Sequence, residues 1–227
     1  MTVNIHTHDP DALAAERQLI VGYAPPAARA GFVALLALDE RLGSILRSTR
    51  EPLVGQMRLT WWYEALTALN DDRPPAEPVL QTLAGDVLTR GIAGDELAAM
   101  IDGWEALIDA DILDAPAMVR HAAARGGILF TLAGRLFGAA AEPLAVAGEG
   151  WALADLSTNL SAPESRSLAA SLARERLAIM GSVRWSRPVR PLSAMALAAR
   201  MDVSDQPRPP GHPARVGRLM VNRLTGR

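Results

Sequence analysis

The segment REPLVGQMRLTWWYEAL, residues 50–66, carries the strongest helical pattern in the sequence and is called the organising segment below. Pro52 suits the first turn of a helix, because proline has a fixed φ and no N–H to leave unpaired. Apolar residues then recur at four-residue spacing and form one broad stripe, which is typical of a helix packed in a core. They are Leu53, Met57, Trp61 and Ala65, with Leu59, Trp62 and Leu66 beside them. This pattern predicts a central helix around which the other helices pack.

The rest of the chain shows the same helical periodicity, interrupted by proline- and glycine-rich breaks. No run of alternating β-branched residues predicts a strand. We therefore expect an all-α protein of about eight to ten helices. In this interpretation residues 1–180 form a single helical domain. Residues 181–227 form a loose Pro/Arg-rich extension with one or two short helices.

The composition excludes several kinds of chemistry. The 227 residues include no cysteine, so disulfides, thiolate metal sites and cysteine nucleophiles are ruled out. All 23 basic residues are arginine, which rules out a lysine Schiff base and a P-loop lysine. The four histidines, at positions 6, 8, 121 and 212, show no metal-binding spacing and are interpreted as incidental.

Charge is unevenly distributed along the chain. From Ala173 onward there are 11 arginines against three acidic residues, whereas the preceding part has 12 arginines against 22 acidic residues. A basic tail on an acidic body indicates either internal ion pairs or an anionic partner such as a membrane surface. Residues 214–227 form a short basic amphipathic helix that either docks on a membrane or packs on the body. Nucleic-acid binding is not expected of an acidic body.

Targeting signals are not evident in the sequence. The first residues, MTVNIHTHDPD, do not have the basic and then apolar regions of a secretory signal. No run of about 18 apolar residues predicts a membrane span. We expect a cytoplasmic protein, with peripheral contact at the inner membrane left open.

Several motifs resemble the squalene/phytoene synthase family. They are Tyr23–Arg29, Ala34–Asp39, the organising segment 50–66, Leu97–Gly103 and the glycine-rich segment Gly126–Gly138. The resemblance covers roughly residues 10–160 and is closest to a divergent branch that includes the mitochondrial complex I assembly factor and its bacterial relatives. It implies the all-helical isoprenoid-synthase fold.

Enzymes of that family condense two prenyl diphosphates, and their Mg²⁺ ions need carboxylates four residues apart on two facing helices. The resemblance places the first such motif at about Gly43–Arg47, where no acidic residue remains. The second falls at about Ala154–Ser165, where only Asp155 and Glu164 are acidic. We therefore expect a non-catalytic helper that binds an apolar ligand or a partner and needs no cofactor. By resemblance, the helper acts in assembly of a respiratory complex.

An active prenyl-diphosphate transferase with rearranged Mg²⁺ ligands is the alternative. Its candidate ligands are Asp39, Glu40, Asp102 and Asp109.

The organising segment supplies the candidates for contact with the cavity or with a partner. They are Arg50, Glu51, Gln56, Arg58, Trp61, Trp62 and Glu64. The partner is expected to be a membrane-associated protein complex or an isoprenoid lipid. The two tryptophans are placed in the core or on the cavity wall, with the core preferred.

Overall fold

A computed structural model describes residues 10–49, 51–108, 113–139 and 143–227 of the chain. These residues form helices and connecting turns, and no strand occurs among them. In chain order the α-helices are Pro10–Gly22 (α1), Arg29–Ser48 (α2), Pro52–Ala68 (α3), Pro78–Asp86 (α4), Gly94–Ala98 (α5), Ile101–Ile108 (α6), Ala115–Ala122 (α7), Ile128–Leu136 (α8), Leu144–Asn159 (α9), Pro163–Leu177 (α10), Arg190–Asp202 (α11) and Pro213–Thr225 (α12). The all-α prediction is confirmed.

A π-helical turn, Ala123–Gly127, joins α7 to α8, so that the two run on as one helix. With that helix counted once and the five-residue α5 set aside, the described ranges hold ten helices. Helix starts follow local chemistry. Glu77 caps α4 by accepting from the N–H groups of Val79 and Leu80, and Asp114 caps α7 by accepting from that of Ala117.

The helix at the centre of the bundle is α9, which packs against α7, α8, α10 and α11. Small residues along α9, among them Gly148, Gly150 and Ala152, let these neighbours approach closely. The prediction that the other helices pack around α3 is therefore wrong. Glycines and alanines of α9 lie where its neighbours approach it most closely, so helices pack on several of its sides, whereas α3 carries large apolar residues on two faces and only one is covered.

The covered face of α3 contains Leu59, Trp62 and Leu66. Three of the four stripe residues expected in the core instead point outward, whereas Ala65 is buried. Leu53 is 68% exposed, Met57 65% and Trp61 46%. Placement of Trp62 in the core is confirmed and placement of Trp61 there is wrong, because adjacent helical residues point about 100° apart.

The C-terminal residues are packed on the bundle, not loosely attached as expected. Nine consecutive residues of α11, from Pro191 to Ala199, are buried where α11 lies between α9 and α12. Arg215 of α12 is 2% exposed and forms ion pairs with Glu16 of α1 and with Asp202. The expected internal pairing of the basic tail is thus found for Arg215.

No single helix of the described ranges is long and apolar enough to cross a membrane. The segments 11–22 and 26–48 reach the required length and hydropathy only when taken together, and they are bent by 119° relative to each other.

Candidate functional site

A buried arginine lies between the two helices from which the family's carboxylates would come. Arg125, in the π-helical turn, is 6% exposed. Its Nε and Nη2 donate to the two carboxylate oxygens of Asp39 at 2.8 and 2.9 Å. Its Nη1 donates to Oδ2 of Asp155 at 2.6 Å. One guanidinium therefore joins Asp39 on α2 to Asp155 on α9, with the bidentate geometry that makes arginine–carboxylate pairs strong.

Two indole rings complete the surroundings of the guanidinium. The Arg125 Cζ atom lies 4.5 Å from the ring centroid of Trp104 and 4.7 Å from that of Trp151. Both distances are within the range of cation–π attraction, which strengthens when the cation is removed from water. Arg125, Asp39, Asp155, Trp104 and Trp151 are called the Arg125 cluster below.

The charges of the Arg125 cluster stabilise one another. Burial lowers the pKa of Arg125, but the nearby charges of Asp39 and Asp155 outweigh it and raise the pKa above its ordinary value. Burial also acts to raise the pKa of Asp155, yet the Arg125 charge and hydrogen bond hold it below the usual range. Because the Asp155 side chain is 42% exposed, the cluster reaches the surface at this residue.

His121 borders the Arg125 cluster as a neutral imidazole. It is fully buried, and its Nδ1–H donates to the Gly103 carbonyl at 2.6 Å. Burial and the charge of Arg125 lower its pKa to about 3. Its ring lies edge-on to Trp104, with centroids 5.2 Å apart. The interpretation of His121 as incidental is therefore replaced by a structural role.

Glycines bring the backbones of the cluster together. Gly126 follows Arg125 directly and faces Gly148 of α9, and a Cβ on either would overlap the other's carbonyl oxygen. A Cβ on Gly103 would lie 2.7 Å from the backbone nitrogen of Arg125. Gly126 and Gly148 therefore allow a close approach of the two helices, which brings Asp155 of α9 within reach of Arg125.

The proposed metal ligands are not assembled into a metal site. Asp39 is in the Arg125 cluster, Glu40 is exposed and paired with Arg47, and Asp102 is exposed on α6. Asp109 lies outside the described residues. Within the described ranges, no three His, Asp or Glu side chains are grouped so as to hold a metal. Both oxygens of Asp39 and one of Asp155 already accept from a guanidinium, so these residues do not fit Mg²⁺.

The candidate contact residues of α3 lie along the surface of that helix. Arg58, Trp61 and Trp62 line a groove of about 350 Å³ between α2 and α3. Glu51 and Glu64 are exposed, Gln56 is half-buried, and Arg50 lies outside the described residues.

Arg125, the central functional candidate, was missed by the motif analysis. A signal was present, because Arg125 shares a helical face with Met118, Ala122 and Leu129. A charged residue on an apolar face must be buried with a partner or reach water. The sequence did not identify its partners, since Asp39 is 86 residues away.

The fold and the site together define an all-helical, isoprenoid-synthase-like protein with a charged centre between α2 and α9. The model of the squalene/phytoene synthase family matches residues 14–175, and the chain belongs to this family. No curated protein and no solved structure matches the chain.

Proposed function

We propose that this protein is a family member that does not condense prenyl diphosphates and instead serves as a helper of a membrane-associated protein complex. One observation carries the non-catalytic part of the proposal. The Arg125 guanidinium binds both oxygens of Asp39, one of the two acidic residues just before the first expected motif, and one oxygen of Asp155, which lies in the second.

Charge balance gives the physical reason. A prenyl diphosphate needs several positive charges in a site with little water, and the family supplies them as Mg²⁺ held by carboxylates. In this protein the positive charge at that place belongs to the Arg125 side chain, and Asp39 and Asp155 already neutralise it. A divalent cation beside Arg125 would meet like-charge repulsion and would find three of the four carboxylate oxygens occupied.

The helper role comes from the resemblance to the branch that contains the complex I assembly factor. A bundle that retains the fold without a usable carboxylate pair can still present a surface to a partner. Assembly of a respiratory complex is the named role that we propose, with action at the inner membrane.

A direct assay tests the non-catalytic part. The purified chain is incubated with Mg²⁺ and farnesyl or geranylgeranyl diphosphate, and diphosphate release is measured. We expect no release above that of Asp155→Asn, a matched variant altered at the exposed edge of the Arg125 cluster. Release by the wild-type chain that Asp39→Asn and Asp155→Asn both abolish would overturn the proposal.

A genetic experiment tests the helper role. The gene is deleted, and intact NADH dehydrogenase is measured in isolated membranes. We expect a loss that is restored by the wild-type gene and equally by the Asp155→Asn gene, because the role does not depend on catalysis. Unchanged levels after deletion would contradict the respiratory role, and restoration by the wild type alone would contradict the non-catalytic one.

A further inference from the structure

The outward face of α3 exposes more large apolar side chains than a helix with its core face already covered requires. Leu53, Met57 and Trp61 are 68%, 65% and 46% exposed and lie at four-residue spacing, so they share one side of the helix. Val54 beside them is 41% exposed. Contiguous exposed apolar residues of this kind mark contact surfaces on soluble domains.

A polar groove adjoins this face at Trp61. It has a volume of about 350 Å³, and the polar side chains that line it include Arg41, Ser44, Ser48, Arg58 and Glu77. It is separate from the Arg125 cluster, because Asp39 and Gly43 of α2 face Arg125 and Trp104, whereas Ser44 and Ser48 face the groove. These lining residues and the indole of Trp61 are called the α2–α3 groove.

The two arginines of the α2–α3 groove are neutralised differently. Arg41 donates to a carboxylate oxygen of Glu77 at 2.8 Å. Arg58 donates to hydroxyls only, at 3.3 Å to Ser48 and 3.1 Å to Thr49. Within the part of the chain that the structure describes, no carboxylate lies within ion-pair distance of Arg58. The α2–α3 groove thus contains a guanidinium whose charge an incoming anion would neutralise.

We propose that the outward face of α3 and the α2–α3 groove together form a binding surface for a bilayer that contains anionic phospholipid. The lipid phosphate binds beside Arg58 and the serine hydroxyls, since arginine pairs well with phosphate oxygens. Leu53, Met57 and Trp61 enter the boundary between headgroups and acyl chains, where tryptophan is favoured. Apolar burial and charge neutralisation act on adjacent parts of the same surface.

The competing surface is α12, for which the sequence left both membrane docking and packing on the body open. α12 exposes Met220, Val221 and Leu224, and of its three arginines Arg218 is exposed, whereas Arg215 and Arg223 contact other residues of the protein. Arg215 is buried in ion pairs, and Arg223 lies 4.7 Å from the ring centroid of Tyr23. On α3 the exposed apolar residues adjoin a groove in which hydroxyl groups lie beside the Arg58 guanidinium, and we assign the membrane contact to α3 for that reason. This inference deepens the proposed membrane-side role and does not depend on the absence of catalysis, so vesicle binding and diphosphate release can fail separately.

Vesicle flotation of the full chain tests the proposal. Vesicles of phosphatidylcholine alone are compared with vesicles that also contain phosphatidylglycerol. We expect binding to the second kind only. Met57→Glu should weaken it about tenfold or more, because a charge enters the apolar boundary. Arg58→Gln should weaken it about fivefold, the effect of one basic residue near an anionic surface. The matched control Met220→Glu, on α12, should stay within about twofold of the wild type.

Several results would overturn the proposal. Absence of binding to either vesicle would assign the face to another occupant, such as a partner protein. Equal binding to both vesicles would remove the role of Arg58 and the phosphate. Binding that Met220→Glu abolishes and Met57→Glu does not would move the contact to α12. Circular dichroism of each variant confirms that the compared chains are folded, and Met57→Ala replaces Met57→Glu if the latter is not.

Discussion

Two arginines are buried among the residues that the structure describes, and they differ in what surrounds them. Arg125 binds Asp39 and Asp155 and lies against two indole rings. Arg215 binds Glu16 at 2.7 and 2.8 Å, pairs with Asp202, and donates to the Arg208 carbonyl at 2.9 Å. The Arg215 pairs join α12 to α1 and α11, and no aromatic ring is recorded against this guanidinium in the described ranges.

Burial of an arginine in an ion pair is therefore not by itself a sign of function. Both guanidinium groups have a pKa raised by their carboxylates in spite of burial, and both connect helices distant in sequence. Of the two arginines, only Arg125 binds the carboxylates of Asp39 on α2 and Asp155 on α9. Arg215 lies beyond the residues that the family model matches. It therefore serves for comparison as a buried arginine whose ion pairs only hold helices together.

The largest effect is expected from Arg125→Ala. The substitution leaves Asp39 buried without a partner, and removal of one member of a buried pair costs about 3–5 kcal/mol. Chemical denaturation measures the loss in free energy of unfolding. The double variant Arg125→Met/Asp39→Asn should recover a large part of it, because no buried charge then remains at Asp39. A loss of the same size in the single and double variants would contradict the account of the Arg125 cluster.

Arg215→Ala should cost somewhat less, about 3 kcal/mol, because it leaves Glu16 buried without its partner but, unlike Arg125→Ala, breaks no contact with the indole rings of Trp104 and Trp151. The location of the effect distinguishes the two arginines. Hydrogen exchange should accelerate in α12 and α1 in this variant, and in α2 and α9 in Arg125→Ala. The same exchange pattern in both variants would remove the distinction between the clusters.

Gly148→Ala tests the spacing that keeps Arg125 close to Asp155. Its Cβ would overlap the Gly126 carbonyl, so we expect a loss of about 1–3 kcal/mol, as for other overpacked sites. Gly217→Ala in α12 is the matched control. Its Cβ would meet no atom within 4 Å, and alanine should stabilise the helix by about 0.5–1 kcal/mol. Thermal unfolding of the two variants should therefore shift in opposite directions.

The last effect, which is absent at neutral pH, is the pH dependence of stability that His121 contributes. Its pKa is about 3 in the folded protein and about 6.5 when unfolded, so the unfolded chain binds the proton first as the pH falls. Stability is therefore complete above pH 6.5 and is lost by about 1.4 kcal/mol per pH unit below it, or about 2 kcal/mol at pH 5. The ion pairs of Arg215 with Glu16 and Asp202 include no histidine and should contribute no such loss of stability.

His121→Asn checks this contribution, because its amide can still donate to the Gly103 carbonyl but does not titrate. Denaturant unfolding at pH 7 and pH 5 should show a smaller difference in the variant than in the wild type. An equal difference in the two proteins would contradict the assignment of a neutral, buried His121.

Local signals in the sequence determined the helices and their approximate bounds. Pro52 at the start of α3, and the apolar periodicity that follows it, predicted a helix that the structure contains. The sequence also identified Asp39 and Glu40 as the acidic residues nearest to the first expected motif, and Asp155 and Glu164 as those at the second. These features depend on neighbours along the chain, so one sequence suffices to find them.

Pairings across the bundle could not be predicted in this way. The contact of Arg125 with Asp39 depends on where a π-helical turn places a side chain relative to a helix 86 residues earlier. The orientation of α3 was uncertain for a related reason. Apolar residues occupy both its Leu59–Trp62 face and its Met57–Trp61 face, and only the packing of α2, α5 and α6 decides which is covered.

The most direct test of the central claim is titration of the full chain with Mn²⁺, followed by electron paramagnetic resonance of the free ion. If the Arg125 guanidinium holds the carboxylates of Asp39 and Asp155, the wild-type chain should leave Mn²⁺ free at stoichiometric concentrations. Stoichiometric Mn²⁺ binding by the wild type that is lost in Asp39→Asn would contradict it.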